Sequence, residues 1–200
     1  AYITFMAPDA VIDSITIGDY RQSQIVSQFN LTRDSLELWI NSRRAAPDTM
    51  KIAVTALKTD SLGVLVPATE QIKLAMRSDR RTYSKRPRKN LKQEDTTCVL
   101  NLTADSKTVE QKGFEMLFRY PIIRESFDSI RFTAITPRQT EQKMNFSVER
   151  DSLNLRRYIL TPKEKLQRGY EYILKVPHRA FRDINGFWSD SLEVKCRLPD

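Results

Sequence analysis

Few side chains in this 200-residue sequence have the types and spacing that catalysis or metal binding requires. The single histidine, His178, lies in a predicted turn, and no nearby residue is a clear nucleophile or carboxylate partner for it. Asp183, Asn185, Gly186 and Asp190 resemble an oxygen-rich calcium loop but lack the terminal bidentate acid at EF-hand spacing. A turn explains the same residues. We therefore expect no catalytic residue, no metal and no cofactor, and we predict that the protein is not an enzyme.

Trp39 and Trp188 form the candidate ligand platform, because indole rings can cover the apolar faces of sugars. Trp39 is out of phase with Leu38 and Ile40 in a predicted strand, so it is either exposed or packed on a neighbouring segment. Packing within the core or between domains is the alternative for both tryptophans.

A second recurring pattern is Asp followed by Ser or Thr and then by an aliphatic residue, Met or Thr. It occurs eight times. Asp-Ser before an apolar residue is also good chemistry for a turn that leads into a strand, because both side chains can bond the local backbone. The hydroxyl residues of the pattern are Ser14, Ser35, Thr49, Ser61, Thr96, Ser129, Ser152 and Ser191.

Four short motifs occur twice, in the same order, and this repeat indicates how the chain is organised. The separations are 113, 115, 117 and 123 residues. A repeat of this length is a whole domain, since solenoid units span about 20 to 50 residues. The motifs are Phe5-x-x-Pro8 with Phe118-x-x-Pro121, Asp13-Ser14-Ile15 with Asp128-Ser129-Ile130, Arg33-Asp34-Ser35-Leu36 with Arg150-Asp151-Ser152-Leu153, and Asp60-x-x-Gly63 with Asp183-x-x-Gly186.

Short runs of alternating apolar and polar residues, separated by turn signals, predict an all-β chain of two tandem β-sandwich domains. Residues 1–76 form the first sandwich, which lacks its first strand, and residues 98–200 form the second. A single helical turn is expected around Lys163–Gln167. The predicted strands are Ile3–Met6, Ser14–Ile17, Ile25–Asn30, Ser35–Ile40, Met50–Leu57 and Gln71–Met76, then Cys98–Thr103, Phe114–Arg119, Ser129–Ala134, Met144–Glu149, Asn154–Thr161, Tyr170–Val176 and Leu192–Leu198.

The net charge of +8 is concentrated between the two domains. Residues 1–76 hold 7 cations and 8 anions, residues 77–97 hold 8 and 3, and residues 98–200 hold 18 and 14. Residues 77–97 therefore read as a basic, extended linker. A binding arm for a polyanion is the alternative, but Tyr83 is its only aromatic residue, so we expect no nucleic-acid partner.

Two cysteines are too few for a disulfide framework, and a separation of 98 residues gives no zinc motif. Cys98 and Cys196 each have in-phase apolar neighbours, so we expect two buried thiols. In an immunoglobulin-like sandwich they would lie near opposite ends of parallel strands, beyond the roughly 7 Å between Cα atoms that a disulfide spans.

The second domain resembles the SbsA-type bacterial immunoglobulin-like family. The resemblance rests on Phe114–Pro121, Arg150–Leu153, Gly169-Tyr170-x-Tyr172-x-Leu174 and Ala180-Phe181-x-Asp183-x-x-Gly186-x-x-x-Asp190. Asn185 precedes Gly186, whereas family members more often have Asn after the glycine. The first domain keeps Asp60-x-x-Gly63 but lacks the Gly-Tyr pair.

The resemblance implies two immunoglobulin-like domains of an exported protein, located in the periplasm or at the outer-membrane surface of a Gram-negative gut bacterium. Its implied role is structural, spacing or adhesive. The eight hydroxyls then resemble acceptors for envelope O-glycosylation. Candidate partners are other domains of the same polypeptide and a protein or glycan at the cell surface, and a membrane is reached only through an upstream lipid anchor. The alternative function is a carbohydrate- or polyanion-binding module.

Overall fold

The computed structural model describes residues 1–42, 44, 47–75 and 97–198. The chain divides into two compact units, Ala1–Glu94 (unit 1) and Asp95–Asp200 (unit 2). Nearly all of the predicted linker lies outside the described residues, namely residues 77–96. These include Thr96, one of the eight candidate hydroxyl sites. The described chain is all-β with several sheets, as predicted.

Unit 1 contains six strands in two three-stranded antiparallel sheets, whose orders are β1-β4-β3 and β2-β5-β6. Each predicted strand is present, although the last one begins six residues earlier than predicted. The strands are β1 (Tyr2–Thr4), β2 (Ile12–Ile17), β3 (Ile25–Phe29), β4 (Ser35–Ile40), β5 (Thr49–Thr59) and β6 (Leu65–Ala75).

The core of unit 1 is built from both of its sheets, which is consistent with a β-sandwich. Side chains alternate in and out along each strand, so that Leu36 and Leu38 are 2% and 3% exposed while their neighbours are half-buried. Ile3 joins them from β1, and the opposite sheet contributes buried residues such as Ile17 and Ile52. Pro67 lies within β6, where its missing N–H costs no ladder bond, because β6 is an edge strand.

Unit 2 contains two four-stranded sheets, with the orders β12-β13-β8-β7 and β11-β10-β14-β16, and a β15-β9 pair. Seven of these strands were predicted and β9, β11 and β15 were not. The strands are β7 (Leu100–Thr103), β8 (Phe114–Phe118), β9 (Ile122–Glu125), β10 (Arg131–Ile135), β11 (Glu141–Lys143), β12 (Phe146–Arg150), β13 (Arg157–Pro162), β14 (Glu171–Val176), β15 (Phe181–Asp183) and β16 (Leu192–Arg197).

The core of unit 2 is larger and rich in aromatic rings. Phe118 lies at its centre, with ring centroids of Tyr158 and Phe181 at 5.6 and 4.9 Å in edge-to-face geometry. Ile173 is only 7% exposed although it points away from Tyr172 and Leu174, so β14 is covered on both faces at this position.

The helical turn predicted at Lys163–Gln167 is wrong. These residues form a bend and loop, and the described chain instead has one short α-helix, α1 (Val109–Lys112), between β7 and β8. Val109 is 1% exposed and anchors α1 in the core, so tertiary burial rather than helix propensity places it.

Strand pairing relates the two units more reliably than the repeated motifs do. Ile3 pairs with Leu36 in unit 1, and Met116, 113 positions after Ile3, pairs with Tyr158 in unit 2. The counterpart of Leu36 is therefore Tyr158 and not Leu153, so the proposed equivalence of Arg33–Leu36 with Arg150–Leu153 is wrong. Ser35 and Leu36 begin β4, whereas Ser152 and Leu153 lie in the turn before β13.

The mismatch has a structural cause, because most of the extra residues of unit 2 lie between β10 and β12, where β11 has no counterpart among the described strands of unit 1. Asp13–Ile15 and Asp128–Ile130 correspond only in part. Ile15 and Ile130 are both buried, but Asp128 and Ser129 belong to a 3₁₀ turn while Asp13 and Ser14 lie in β2.

Candidate functional site

The Asp60-x-x-Gly63 motif forms the turn between β5 and β6. Asp60 Oδ1 accepts hydrogen bonds from the backbone N–H groups of Leu62 and Val64, both at 2.9 Å. The Asp60 N–H donates to Val64 O at 2.8 Å, and the Gly63 N–H donates to Asp60 O at 3.1 Å. Gly63 has a φ of 79°, which explains the need for glycine at this position.

The Asp183-x-x-Gly186 motif forms the same turn before the last strand of unit 2. Asp183 Oδ1 accepts from the N–H groups of Asn185 and Phe187 at 2.9 and 3.0 Å. The Asp183 N–H donates to Phe187 O at 3.0 Å, the Gly186 N–H donates to Asp183 O at 2.9 Å, and the φ of Gly186 is 87°. The prediction that the two motifs occupy equivalent turns is confirmed.

The sequence that resembles a calcium loop forms this turn, and the turn already uses one carboxylate oxygen of Asp183. Asp183 is 1% exposed, and its Oδ1 already accepts two backbone hydrogen bonds. Asp190 lies beside His178, with 3.6 Å between Oδ1 and Nδ1, and both side chains are mostly exposed. Within the described ranges, no three His, Cys, Asp or Glu side chains are grouped so that they could hold a metal ion.

Trp39 and Trp188 are both half-buried. Trp39 lies in β4 of unit 1 and donates its indole N–H to Glu37 Oε1 at 2.8 Å. Trp188 in unit 2 lies under the guanidinium of Arg182, which is 5.5 Å from the ring centroid. Each indole thus makes polar contacts within its own unit, which also position its ring.

The predicted hydroxyl sites differ in accessibility. Ser35 and Ser129 are half-buried, and the hydroxyl of Ser129 donates to Ser126 O at 2.6 Å. Several of the preceding aspartates cap turns, as Asp60 does before Ser61 and Asp151 does by accepting from the Leu153 N–H at 2.8 Å. The exposed members of the set are Ser14, Thr49, Ser61, Ser152 and Ser191.

Cys98 and Cys196 are free, buried thiols, as predicted. Burial raises the pKa of Cys98 to about 12, with a smaller contribution from the negative charge of Asp183. Burial also raises the pKa of Cys196. Both cysteines are therefore protonated and unreactive at neutral pH.

A broad open groove of about 1040 Å³ crosses the outer side of the β11-β10-β14-β16 sheet. Ser129 and Ser191 lie on its rim. Its charged residues are of mixed sign, and Lys175 and Lys195 each lie within 3.6 Å of Glu193. Such a face is weakly suited to a polyanion, because the local charges largely neutralise each other.

Unit 1 has a smaller, mostly apolar groove of about 380 Å³. One side of the groove is formed by β1 and the segment that follows it, and the other side by the β5-β6 hairpin. Ile3, Phe5 and Met6 line one side, and Ala56, Leu65 and Ile72 line the other. As predicted, β1 is an edge strand, since its only partner among the described strands is β4. The repeat indicated this edge, but the groove beside it could not be seen in the sequence.

No family model matches the chain, and no curated protein is significantly similar to it. No helix among the described residues is long and apolar enough to cross a membrane.

Proposed function

We propose that this chain consists of two tandem immunoglobulin-like sandwiches joined by a basic linker, and that it serves as a non-enzymatic module of an exported bacterial envelope protein. Its role is to space or present a binding element of the same polypeptide. The resemblance of unit 2 to the SbsA-type family supports the envelope setting and the location in the periplasm or at the outer-membrane surface.

The observation that carries this proposal is the shared hydrogen-bonded turn at Asp60 and Asp183, before the last strand of each unit. The pairing of β1 with β4 and of β8 with β13 extends the correspondence to a second sheet of each unit. Among the described residues, the two units share the turn and the strand pairing, which belong to the scaffold, and this suits a structural role.

The competing function is binding of a carbohydrate or polyanion through Trp39, Trp188 or the basic segment. The contacts of the two indoles with Glu37 and Arg182 support a packing role for both rings. A ligand platform requires the ring face itself to be open, and a cation above the ring of Trp188 occupies part of that face.

A glycan array and a duplex-DNA titration separate the two functions. We expect no saturable glycan binding by the chain and weak or no DNA binding at physiological salt. Specific glycan binding that is lost in Trp39→Ala or Trp188→Ala, but kept in Phe187→Ala, would overturn the spacer proposal. Salt-dependent binding that is lost when Arg86, Arg88 and Lys89 are neutralised would do the same.

The location is tested separately by fractionating the source bacterium and detecting the protein with an antibody. Recovery in the periplasmic or outer-membrane fraction is expected, and recovery with a cytoplasmic marker enzyme contradicts the envelope role.

A further inference from the structure

We propose that Asn185 is a site of spontaneous, irreversible modification, in which the backbone nitrogen of Gly186 attacks the side-chain amide of Asn185. The turn that contains both residues sets the rate of this reaction, and one of the two products opens the turn. The modification site lies beyond the spacer role and does not depend on it.

The sequence places the two reacting groups side by side. Of the asparagines in the chain, only Asn185 precedes a glycine. Glycine has no side chain to hinder the approach of its own nitrogen to the preceding side chain. The shared turn of unit 1 has Leu62 at the position of Asn185 and therefore has no amide that could react.

The reaction balances with water as its only co-reactant. The Gly186 nitrogen loses its proton and bonds to Cγ of Asn185, while the bond from Cγ to Nδ2 breaks and Nδ2 leaves as ammonia. Water then opens the five-membered succinimide ring. Cleavage between the nitrogen and Cγ gives aspartate, and cleavage between the nitrogen and the main-chain carbonyl carbon gives isoaspartate, whose backbone runs through the side chain. One water is consumed and one ammonia is released.

The surroundings of Asn185 leave the reacting amide open to solvent. Asn185 is exposed, so water reaches Cγ and ammonia can leave. The residue before it is fixed, because Ile184 is 3% exposed and its N–H donates to Pro121 O at 2.9 Å. The reaction therefore takes place at the exposed end of a turn whose base is anchored in unit 2.

The turn restrains the attacking nitrogen. The Gly186 N–H donates to Asp183 O at 2.9 Å, and the Asn185 N–H donates to Asp183 Oδ1 at 2.9 Å. While the first bond is intact, the Gly186 nitrogen keeps its proton and its position. The reaction thus requires local opening of the turn, and its rate in the folded protein is the open-chain rate multiplied by the open fraction.

Asp183 controls this opening, because every bond that closes the turn involves it. Its N–H donates to Phe187 O at 3.0 Å, and its Oδ1 accepts from the Phe187 N–H at 3.0 Å. Loss of the carboxylate removes two of the closing bonds and leaves the two that the main chain of Asp183 makes. A variant without this carboxylate should therefore open more often and react faster.

The isoaspartate product does not fit the turn. It adds one methylene to the backbone before Gly186, which lengthens the chain by about 1.5 Å. The hydrogen bonds around Asp183 fix the span of the turn, so the longer chain cannot keep them all. The Arg182 Nε–H, which donates to Gly186 O at 3.1 Å, loses its position with them. The aspartate product keeps the backbone length and therefore the turn.

The first experiment follows Asn185 by peptide mapping and mass spectrometry in the full chain and in a synthetic peptide of residues 180–190. Both are kept at mildly alkaline pH, where removal of the amide proton is faster. We expect aspartate and isoaspartate at Asn185 in the folded chain, formed about ten- to a hundredfold more slowly than in the peptide. Asn185→Gln is the matched control and should stay intact, because its side chain would have to form a six-membered ring.

Two outcomes of this experiment overturn the proposal. Absence of conversion in the folded chain after about one hundred half-lives of the peptide would show that the turn does not open to the reacting geometry. Equal rates in the folded chain and the peptide would show that the turn does not control the reaction.

The second experiment changes the turn. Asp183→Ala should raise the rate at Asn185 at least about threefold, and Asp183→Asn, which keeps an oxygen acceptor, should give an intermediate rate. Asp60→Ala weakens the counterpart turn in unit 1 and should leave the rate at Asn185 unchanged. Equal rates in the wild type and in both Asp183 variants contradict control by the carboxylate.

The third experiment compares the two products. Aged protein is separated into its aspartate and isoaspartate forms, and unit 2 is unfolded in urea with Trp188 fluorescence as the probe in a Trp39→Phe background. The isoaspartate form should have a lower urea midpoint than Asn185→Asp, which carries the same charge on a backbone of normal length. Equal midpoints would overturn the inference that isoaspartate opens the turn.

Discussion

Asp183 repeats, 123 positions along the chain, the hydrogen bonds that Asp60 makes, but the two carboxylates differ in burial. Each accepts two backbone N–H groups through Oδ1 and closes a turn with a glycine at positive φ. Asp183 is 1% exposed and Asp60 is half-buried. Because the turn is shared and only the surroundings differ, the pair isolates the effect of burial on one hydrogen-bonding pattern.

Asp183→Ala should therefore destabilise its unit more than Asp60→Ala does. Loss of Oδ1 leaves two partly buried N–H groups without their acceptor at Asp183, at a cost of about 2 kcal/mol, whereas the equivalent N–H groups at Asp60 are exposed to water, and there we expect about 1 kcal/mol. Urea unfolding measures both losses.

Each unit contains one tryptophan, so Trp39 fluorescence in a Trp188→Phe background and Trp188 fluorescence in a Trp39→Phe background report the two units separately. The matched controls are Asp60→Asn and Asp183→Asn, which keep an oxygen at Oδ1 and should lose less stability than the alanine variants. Equal losses for the two alanine variants would contradict the role of burial.

Gly113 and Gly63 provide a second matched pair. Both have positive φ, but a Cβ at Gly113 would collide with the Leu160 carbonyl oxygen, while a Cβ at Gly63 meets no atom within 4 Å. Gly63→Ala should cost about 1 to 2 kcal/mol from backbone strain alone. Gly113→Ala adds the steric conflict and should cost about 3 kcal/mol or more in urea unfolding. Similar costs would show that β13 moves aside to accommodate the methyl group.

The alternation of apolar and polar residues predicted most of the strands, because each sheet buries only one face. Leu36, Leu38 and Ile40 have the spacing that places Leu36 and Leu38 in the core of unit 1. The Asp-x-x-Gly turns were also predictable, since Asp side chains bond backbone N–H groups two positions on and glycine supplies the positive φ.

Two of the three missed strands, β9 and β15, depend on partners distant in sequence. β9 is short and does not alternate, and β15 lies inside the segment that was read as a turn. They pair with each other across more than 50 residues, so neither segment alone contains the signal. The start of β6 was missed because Pro67 reads against a strand unless the strand is known to lie at a sheet edge.

The candidate sites were less predictable than the fold. Sequence spacing nominated Trp39 and Trp188 but could not show Glu37 beneath the first indole N–H or Arg182 above the second ring. The groove beside β1 exists because Phe5 is only partly covered by other residues, and no local sequence pattern encodes that coverage.

If the protein is O-glycosylated in its native host, accessibility should select among the eight Asp-Ser/Thr motifs. The exposed hydroxyls of Ser61 and Ser191 should be modified in preference to Ser129, whose hydroxyl already donates to Ser126 O. Mass spectrometry of peptides from the native protein measures occupancy, with protein made in a strain that lacks O-glycosylation as the control. Occupancy at Ser129 but at none of the exposed positions would contradict this ordering.

The stability of unit 2 should fall at alkaline pH because two of its buried groups retain protons that the unfolded chain releases. The pKa of Cys98 is raised from 9.0 to about 12, mainly by burial and further by Asp183. The pKa of Tyr158 is raised from 10.0 to about 12, mainly by burial and further by Glu125, whose Oε2 accepts its hydroxyl hydrogen bond at 3.2 Å.

Above pH 9 the unfolded state binds fewer protons than the folded state, so the free energy of unfolding decreases as pH rises. The contribution of Cys98 is fully present below pH 9 and is lost between about pH 9 and 12, and that of Tyr158 is lost between about pH 10 and 12. We expect Cys98→Ala to flatten the decline from pH 9 and Tyr158→Phe to flatten it from pH 10. Urea unfolding of unit 2, monitored by Trp188 fluorescence in a Trp39→Phe background at half-unit pH intervals, measures the slopes. Lysine titration is common to all variants, so it cancels in the comparison. Parallel curves for the wild type and both variants would show that neither group stays protonated in the folded state.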